Sequence, residues 1–161
     1  MTGTEFPSFN PKDPAFEARV RASFGRQGIM ALIGARLTRV EPGLVEIELP
    51  FRADLTQQHG FFHAGITSTI ADSAGGYAAY SLMPDGASVL TTEFKINLLA
   101  PADGELLRAR GRVLKPGRTL TVCDVDVFAV KDGQATPCAK LLETLMCLED
   151  RPDQPRKSRE P

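Results

Sequence analysis

One long stretch of the chain is almost free of charge. Residues 55–84 contain a single formally charged side chain, Asp72. From residue 64 to residue 83 there is no proline and alanine is frequent, a composition typical of a helix. Because small or apolar residues occur on every side of it, this helix has to be enclosed by other structure. We therefore predict a buried helix at 65–82.

Segments that alternate between apolar and polar residues surround this helix in the sequence. They predict two strands before it and four after it, separated by turn residues: 35–40, 44–51, 88–99, 105–114, 119–130 and 135–148. An earlier amphipathic helix is predicted from Asp13-Pro14 to about residue 25 or 28. The order predicts an α+β fold, in which a long antiparallel sheet wraps around one central apolar helix.

The length of 161 residues suits a single domain. We expect an irregular N-terminal arm at 1–13, the folded domain at 14–149 and a disordered C-terminal tail at 150–161. The tail is assigned because its last eleven residues hold three prolines and six charges.

Composition excludes several classes of protein. Nineteen basic and 20 acidic residues give a net charge of -1, which argues against nucleic acid as a partner. The three cysteines, 123, 138 and 147, have no CxxC spacing, so we expect no disulfide framework and a reducing, cytoplasmic location. Cys123 and Cys147 lie in predicted strands without a nearby His, so we expect them to have packing roles. Neither a secretory signal nor a membrane-spanning segment is expected.

Asp72 is the strongest candidate for chemistry. A buried carboxylate costs several kcal/mol unless it is paired or used. Its neighbours one helical turn away, Ser68, Thr69, Gly75 and Gly76, are small and leave room beside it. One interpretation is a general base or nucleophile in a cleft, and the other is a structural carboxylate bonded to Thr69 or to a strand. The glycine pair also indicates that another group approaches the helix closely.

The two histidines, His59 and His63, lie just before this helix. No cysteine or acid accompanies them, so we expect no metal site. The sequence His63-Ala64-Gly65 puts backbone N–H groups at a helix N-terminus, where they suit a carbonyl oxygen or oxyanion. His63 is either a helix cap or a functional residue, and His59 is expected to be a loop residue.

The spacing between His63 and Asp72 limits how they can cooperate. Nine residues correspond to about 13.5 Å along a helix and to opposite helix faces. The two side chains cannot reach one substrate atom from within a single chain. If both are catalytic, two chains must supply one site.

Three alternating arginines, 108, 110 and 112, should line one face of a strand. A three-residue turn would put Arg110 and Arg108 opposite Asp124 and Asp126. A salt-linked, solvated sheet face is the simpler interpretation, with phosphate binding as the alternative.

The segment from His63 to Asp72, followed by Ser73-Ala74-Gly75, resembles the motif of the PaaI-like acyl-CoA thioesterases of the hotdog-fold superfamily. That motif is His-Gly-Gly at the start of the central helix with an Asp nine residues after the His. Residues 91–102 resemble the next strand of the family and residues 115–118 its following turn. The match covers about residues 28–149.

The resemblance implies roles for individual residues. Asp72 matches the base or nucleophile, and the N–H of Ala64 matches the donor that polarises the thioester carbonyl. Gln57 takes the position that orients the carbonyl or the water, and Thr91 matches a hydroxyl that holds the attacking water. In the family, the His63 side and the Asp72 side of a site come from different subunits.

These roles predict hydrolysis of a small or aromatic acyl-CoA in a homodimer or homotetramer, with no cofactor beyond the CoA of the substrate. We expect substrate contacts from the small-residue face of the helix and from the following turn: Gly65, Ser68, Thr69, Gly76 and Arg118. Two alternatives remain, an acyl-CoA or acyl-ACP hydratase-dehydratase and a non-catalytic acyl-CoA binding module. The first would need His63 and Asp72 to converge on the substrate, and the second leaves Asp72 without a purpose.

Overall fold

The central helix predicted from the uncharged stretch is present as α3 (Ala64–Tyr80). The computed structural model describes residues 7–154, so the start of the predicted arm (1–6) and most of the predicted tail (155–161) lie outside the described residues. From Ile70 to Tyr80, every residue of α3 except Asp72 is buried. The prediction of an enclosed helix is confirmed.

Six strands form one antiparallel sheet. They are β1 (Arg36–Glu41), β2 (Leu44–Pro50), β3 (Ser88–Leu98), β4 (Leu106–Lys115), β5 (Leu120–Lys131) and β6 (Gln134–Leu148). Their order across the sheet is β1-β2-β4-β5-β6-β3, which leaves β3 at one edge although it directly follows α3 in the chain. Strands β2 to β6 all contact α3, so the sheet wraps around the helix as the hotdog arrangement requires.

Two glycines let the sheet and the helix approach each other. A Cβ on Gly111 of β4 would overlap the backbone carbonyl of Ala74 in α3. A Cβ on Gly75 would overlap the carboxyl group of Glu143 from β6. The close approach predicted from the Gly75-Gly76 pair is therefore confirmed, and Glu143 is the group that makes it.

Two helices precede the sheet, where the sequence predicted one. Helix α1 (Phe16–Arg26) starts two residues after Pro14. Asp13 caps the turn that precedes it: its side chain accepts a 2.8 Å hydrogen bond from the N–H of Ala15, and its carbonyl accepts one of 3.1 Å from the N–H of Phe16. Helix α2 (Gly28–Ile33) contains the short apolar run 29–33, for which no element was predicted. It ends at Gly34, whose φ of 80° lies in the left-handed region that favours glycine.

The outer face of the sheet is linked by salt bridges. Arg108 binds Glu48 at 2.7 Å, and Arg110 binds Glu46 at 2.6 Å. Further along the same face, Arg112 and Lys140 both bind the pair Asp124 and Asp126. Each of these cations is paired with a carboxylate, which confirms the predicted salt-linked face.

The register of this face differs from the prediction by two residues. Arg112 lies opposite Asp124 and Arg110 lies opposite Asp126, whereas the sequence predicted Arg110 and Arg108 there. The last paired residues are Lys115 and Val122, so six residues connect them instead of the assumed three, and the ladder shift between Val113 and Lys115 takes back one residue. Turn length sets hairpin register, so the error in the turn displaced the pairing.

The described part of the C-terminal segment contacts the folded domain. Asp153 forms a 2.5 Å ion pair with Arg26 at the end of α1. Of the helices within residues 7–154, none combines the length and the apolar character needed to cross a lipid bilayer.

Candidate active site

Asp72 lies two turns into α3, where the helix passes the edge strand β3. Its carboxylate is only partly buried, and its Oδ1 accepts a 2.7 Å hydrogen bond from Oγ1 of Thr91 on β3. The alternative partner, Thr69, instead donates to the backbone carbonyl of Gly65 at 2.7 Å. Two residues with predicted catalytic roles, Asp72 and Thr91, are thus in direct contact within one chain.

A second carboxyl group stands behind Asp72, and the sequence analysis missed it. Glu143 of β6 is 1% exposed, and its pKa is raised to about 9, first by burial and then by the charge and contact of Asp72. The signal was present in the alternation of β6. Leu141 and Leu145 point inward, and a period of two puts Glu143 between them on the same face.

His63 is the N-cap of α3. Its Nδ1 accepts a 2.9 Å hydrogen bond from the backbone N–H of Gly65, and its carbonyl accepts from the N–H groups of Ile66 and Thr67. Among residues 7–154 the N–H of Ala64 has no acceptor. The capping interpretation of His63 is confirmed, and the cap leaves the N–H of Ala64 available to an incoming oxygen.

Gln57 belongs to a tight loop that leads into the helix. Its backbone N–H donates to the carbonyl of Phe61 at 2.9 Å, and its side-chain oxygen accepts from the backbone N–H of His59. The N–H of His63 in turn donates to the carbonyl of Leu55 at 2.9 Å. These bonds fix the loop relative to the start of α3, and the Gln57 amide NH₂ remains as a possible donor.

Three surface clefts contain the predicted site residues except His63 and Arg118. Asp72, Thr91 and Gly76 line a cleft of about 430 Å³ between α1, α3 and β3. Gln57 and Ala64 line a different cleft of about 480 Å³. A third cleft of about 410 Å³ runs along α3 and contains the remaining helix residues with a predicted substrate contact, Gly65, Ser68 and Thr69, together with Asp72. The chain therefore separates the carbonyl-binding residues from the base.

The predicted substrate-binding residues differ in their surroundings. The hydroxyl of Ser68 donates to the carbonyl of Ala64 at 2.8 Å, as that of Thr69 does to Gly65, so both are engaged within the helix. Arg118 lies in the turn between β4 and β5, with its side chain 82% exposed and 4.0 Å from Glu149. It stands apart from the residues that line the three clefts.

The Tyr77 hydroxyl and the three cysteine thiols stay protonated at neutral pH. Burial raises the pKa of Tyr77, which lines the cleft with Asp72, to about 12, and its hydroxyl lies 3.2 Å from that of Ser23. All three cysteines are free thiols, and burial raises the pKa of each. Across residues 7–154, no three His, Cys, Asp or Glu side chains are grouped as a metal site would require.

Comparison with known proteins agrees with this geometry. The sequence profile of the Thioesterase superfamily matches residues 59–136, which include α3 and its N-cap. A protein of Saccharolobus solfataricus that carries the name of an esterase is 32% identical over 74% of this chain and 77% of its own length. The chain belongs to the thioesterase superfamily. The proofreading thioesterase EntH of Klebsiella pneumoniae is 28% identical over 68% of this chain and 80% of its own length.

Solved structures agree as well. A thioesterase family protein from Silicibacter pomeroyi is 52% identical, with a TM-score of 0.82 over 83% of this chain and 98% of the other. The PaaI protein of Escherichia coli, from the phenylacetic acid degradation operon, shares the fold with 20% identity and a TM-score of 0.72 over 81% of this chain and 91% of its own. The predicted hotdog fold is confirmed, and the likeness to PaaI is one of fold. Membership of this superfamily supports thioester hydrolysis in general.

Proposed function

We propose that the protein hydrolyses the thioester of a small or aromatic acyl-CoA, with Asp72 as the base or nucleophile. The observation that carries this proposal is the 2.7 Å hydrogen bond between Thr91 and Asp72 at the wall of a cleft of about 430 Å³. A cleft of this volume suits a small ligand. Its lining includes Tyr77, Val89 and Leu90, which can contact an apolar or aromatic acyl group.

Hydrolysis requires the carbonyl carbon of the thioester to lie beside Asp72. In the general-base route, a water held by Thr91 attacks the carbonyl carbon while its proton passes to Asp72, which then returns it to the departing CoA thiolate. In the nucleophilic route, an oxygen of Asp72 attacks the carbonyl carbon and the C–S bond breaks, which releases the CoA thiolate and leaves a mixed anhydride. Water then hydrolyses the anhydride to the free acid and regenerates Asp72. In both routes the N–H of Ala64 would stabilise the carbonyl oxygen, with the Gln57 amide assisting.

We further propose that two subunits build each site, in a homodimer or a dimer of dimers. Ala64 and Asp72 line different clefts of one chain, so a partner has to bring the two groups together. The edge strand β3 supports association, because it exposes the large apolar side chains Leu90, Phe94 and Leu98 next to Thr91.

The reaction is tested by thiol release from a panel of CoA thioesters that runs from acetyl-CoA to benzoyl-CoA. Crotonyl-CoA hydration is measured beside it. We expect thiol release that is fastest with small or aromatic acyl groups and no hydration, because the Nδ1 of His63 is occupied in capping α3. Hydration of crotonyl-CoA without thiol release, or no reaction with any thioester, would overturn the proposed function.

The shared site is tested by complementation between two inactive variants. Ala64→Pro removes the proposed N–H donor, and proline is tolerated at the first position of a helix after an extended residue such as His63. Asp72→Asn removes the base. Random pairing of the co-expressed variants should restore about a quarter of wild-type turnover, since half of the dimers then carry one intact shared site.

The two variants alone should be inactive, and light scattering should show a dimer or a tetramer at micromolar concentration. If co-expression restores nothing although mixed dimers form, both groups act within one chain. Full activity of a protein that light scattering shows to be a monomer would also mean that both groups act within one chain.

A further inference from the structure

Packing alone does not explain why the carboxyl group of Glu143 is buried near Asp72. Its side chain is 1% exposed, and neither carboxyl oxygen has a hydrogen-bond partner within residues 7–154. It stands directly over Gly75, where any side chain would collide with it. An apolar residue at this position would fit the alternation of β6, so the carboxyl group needs another reason to be there.

The groups that face this carboxyl are few. Helix α3 contributes the carboxylate of Asp72, and β5 contributes the thiol of Cys123, which is directly opposite Glu143 in the strand ladder. On the other side, β3 contributes the uncharged Phe94. None of these three neighbours carries a positive charge. An ionised Glu143 would therefore be a buried charge next to a like charge, which costs several kcal/mol.

We propose that Glu143 is a positioning residue for Asp72: a neutral acid enclosed behind the Asp72 carboxylate, so that the two carboxyl groups share one negative charge. This inference rests on the proposed function, because Asp72 is the group that Glu143 serves. The raised pKa of Glu143 is consistent with it. The carboxyl group of Glu143 lies against Gly75, less than one helical turn from Asp72. When two carboxyl groups share one site, the pKa of one of them is strongly raised.

The arrangement has a consequence for the reaction. Thr91 binds Oδ1 of Asp72 from the β3 side, and the O–H of a neutral Glu143 can be directed at Asp72 from the β6 side. The carboxylate is then oriented from two directions, and its charge stays on the residue that takes the proton from water. Glu143 keeps its own proton throughout the cycle. Loss of that proton at alkaline pH puts a second charge behind Asp72 and should displace it.

Two substitutions at Glu143 separate positioning from packing. Glu143→Gln keeps the shape and remains a neutral donor at every pH, whereas Glu143→Leu keeps the volume and removes the donor. We expect the kcat of the wild type to fall near pH 9. Glu143→Gln should retain turnover at pH 7 and should not show this alkaline fall. We expect Glu143→Leu to lower kcat by about 10- to 100-fold with little change in KM, the scale of a misplaced catalytic group.

The exposed Glu105, the residue directly before β4, provides the matched control. Glu105→Gln should leave both kcat and the pH profile unchanged. A folded Glu143→Leu protein with wild-type kcat, or a Glu143→Gln protein with the wild-type alkaline limb, would overturn the positioning role.

A readout independent of activity tests the shared charge itself. In protein labelled with ¹³C at the glutamate side chain, the carboxyl resonance absent from Glu143→Gln belongs to Glu143. We expect it to report a protonated group at pH 7 that titrates near pH 9, and to titrate at lower pH in Asp72→Asn, where the neighbouring charge is gone. An ionised Glu143 at pH 7 would overturn the inference whether or not a thioester is hydrolysed. If Glu143 is neutral but no thioester reacts, the proposed function fails and the carboxyl pair stands.

Discussion

Oγ1 of Thr91 donates a 2.7 Å hydrogen bond to Oδ1 of Asp72, and this bond joins the edge strand of the sheet to the central helix. It accounts for the single charge in the long uncharged stretch of the chain. Asp72 is the one residue between Ile70 and Tyr80 that is not fully buried, and its side chain turns toward the strand. A carboxylate held in this way at a cleft is oriented and still accessible to substrate.

The first prediction concerns this bond. Thr91→Ala should lower kcat by about 10- to 100-fold, because a hydrogen bond to a charged group contributes roughly 1.5–3 kcal/mol and about 1.4 kcal/mol is a factor of ten. Thr91→Ser, which keeps the hydroxyl, should remain close to wild type. Steady-state thiol release measures both, and equal activity of the alanine and serine variants would remove Thr91 from the site.

The second prediction concerns the contact between sheet and helix at Gly111. Gly111→Ala should destabilise the fold by about 3 kcal/mol or more, because its Cβ meets the backbone of Ala74, which cannot rotate away. Gly25→Ala is the matched control. Gly25 lies within α1 with open space around it, so that alanine should stabilise the protein by about 0.5–1 kcal/mol. Chemical unfolding of both variants checks the contrast, and a Gly111→Ala protein as stable as wild type would refute the close contact.

The third prediction is a dependence of stability on pH that comes from Glu143. Its pKa is raised to about 9 in the folded protein from an ordinary value of 4.5, so the folded state holds a proton that the unfolded state releases between these values. The free energy of unfolding should therefore fall as pH rises through this window, by up to about 1.4 kcal/mol per pH unit from this group.

Glu143→Gln removes that contribution. Its stability relative to wild type should grow from pH 5 to pH 9, as measured by denaturant unfolding at each pH. A difference between the two proteins that stays constant with pH would mean that Glu143 is ionised in the folded state.

The fourth prediction concerns the thiols. Cys123, Cys138 and Cys147 are buried, and burial raises the pKa of each, so thiolate is scarce at neutral pH. None should be the nucleophile, and a folded triple Cys→Ser variant should retain thioester hydrolysis. Turnover normalised to folded protein checks this, and its loss would identify a missed nucleophile.

Much of the fold could be predicted because periodicity reports burial directly. The uncharged stretch predicted α3 to within one residue at its start and two at its end, and alternation predicted six strands in the observed order along the chain. The pairing of β3 with β6 is not visible in any local pattern, because it joins segments about 50 residues apart. The register between β4 and β5 depended on a turn whose length the pattern underestimated.

The site could be predicted only in part. Spacing along one helix showed that His63 and Asp72 are far apart, and both residues lie on α3 or at its N-cap as expected. The bond from Thr91 to Asp72 follows the position that the family resemblance implied. Glu143 was missed because a glutamate in a strand usually faces solvent. Only the alternation with Leu141 and Leu145, which face inward two residues to either side, reveals that this one does not. The sequence of a single strand does not indicate which residues of other elements its side chains contact.

The fifth prediction tests the central claim, that Asp72 carries thioester hydrolysis, through the variant Asp72→Asn. This change keeps the size of the side chain and removes both base and nucleophile. Asp85→Asn, at an exposed aspartate in the turn after α3, is the control. Thiol release from the best CoA thioester of the panel is measured with binding of a non-hydrolysable analogue. We expect turnover of Asp72→Asn to fall by about 10² or more with binding retained, and Asp85→Asn to match wild type. A folded Asp72→Asn protein with wild-type turnover would contradict the account.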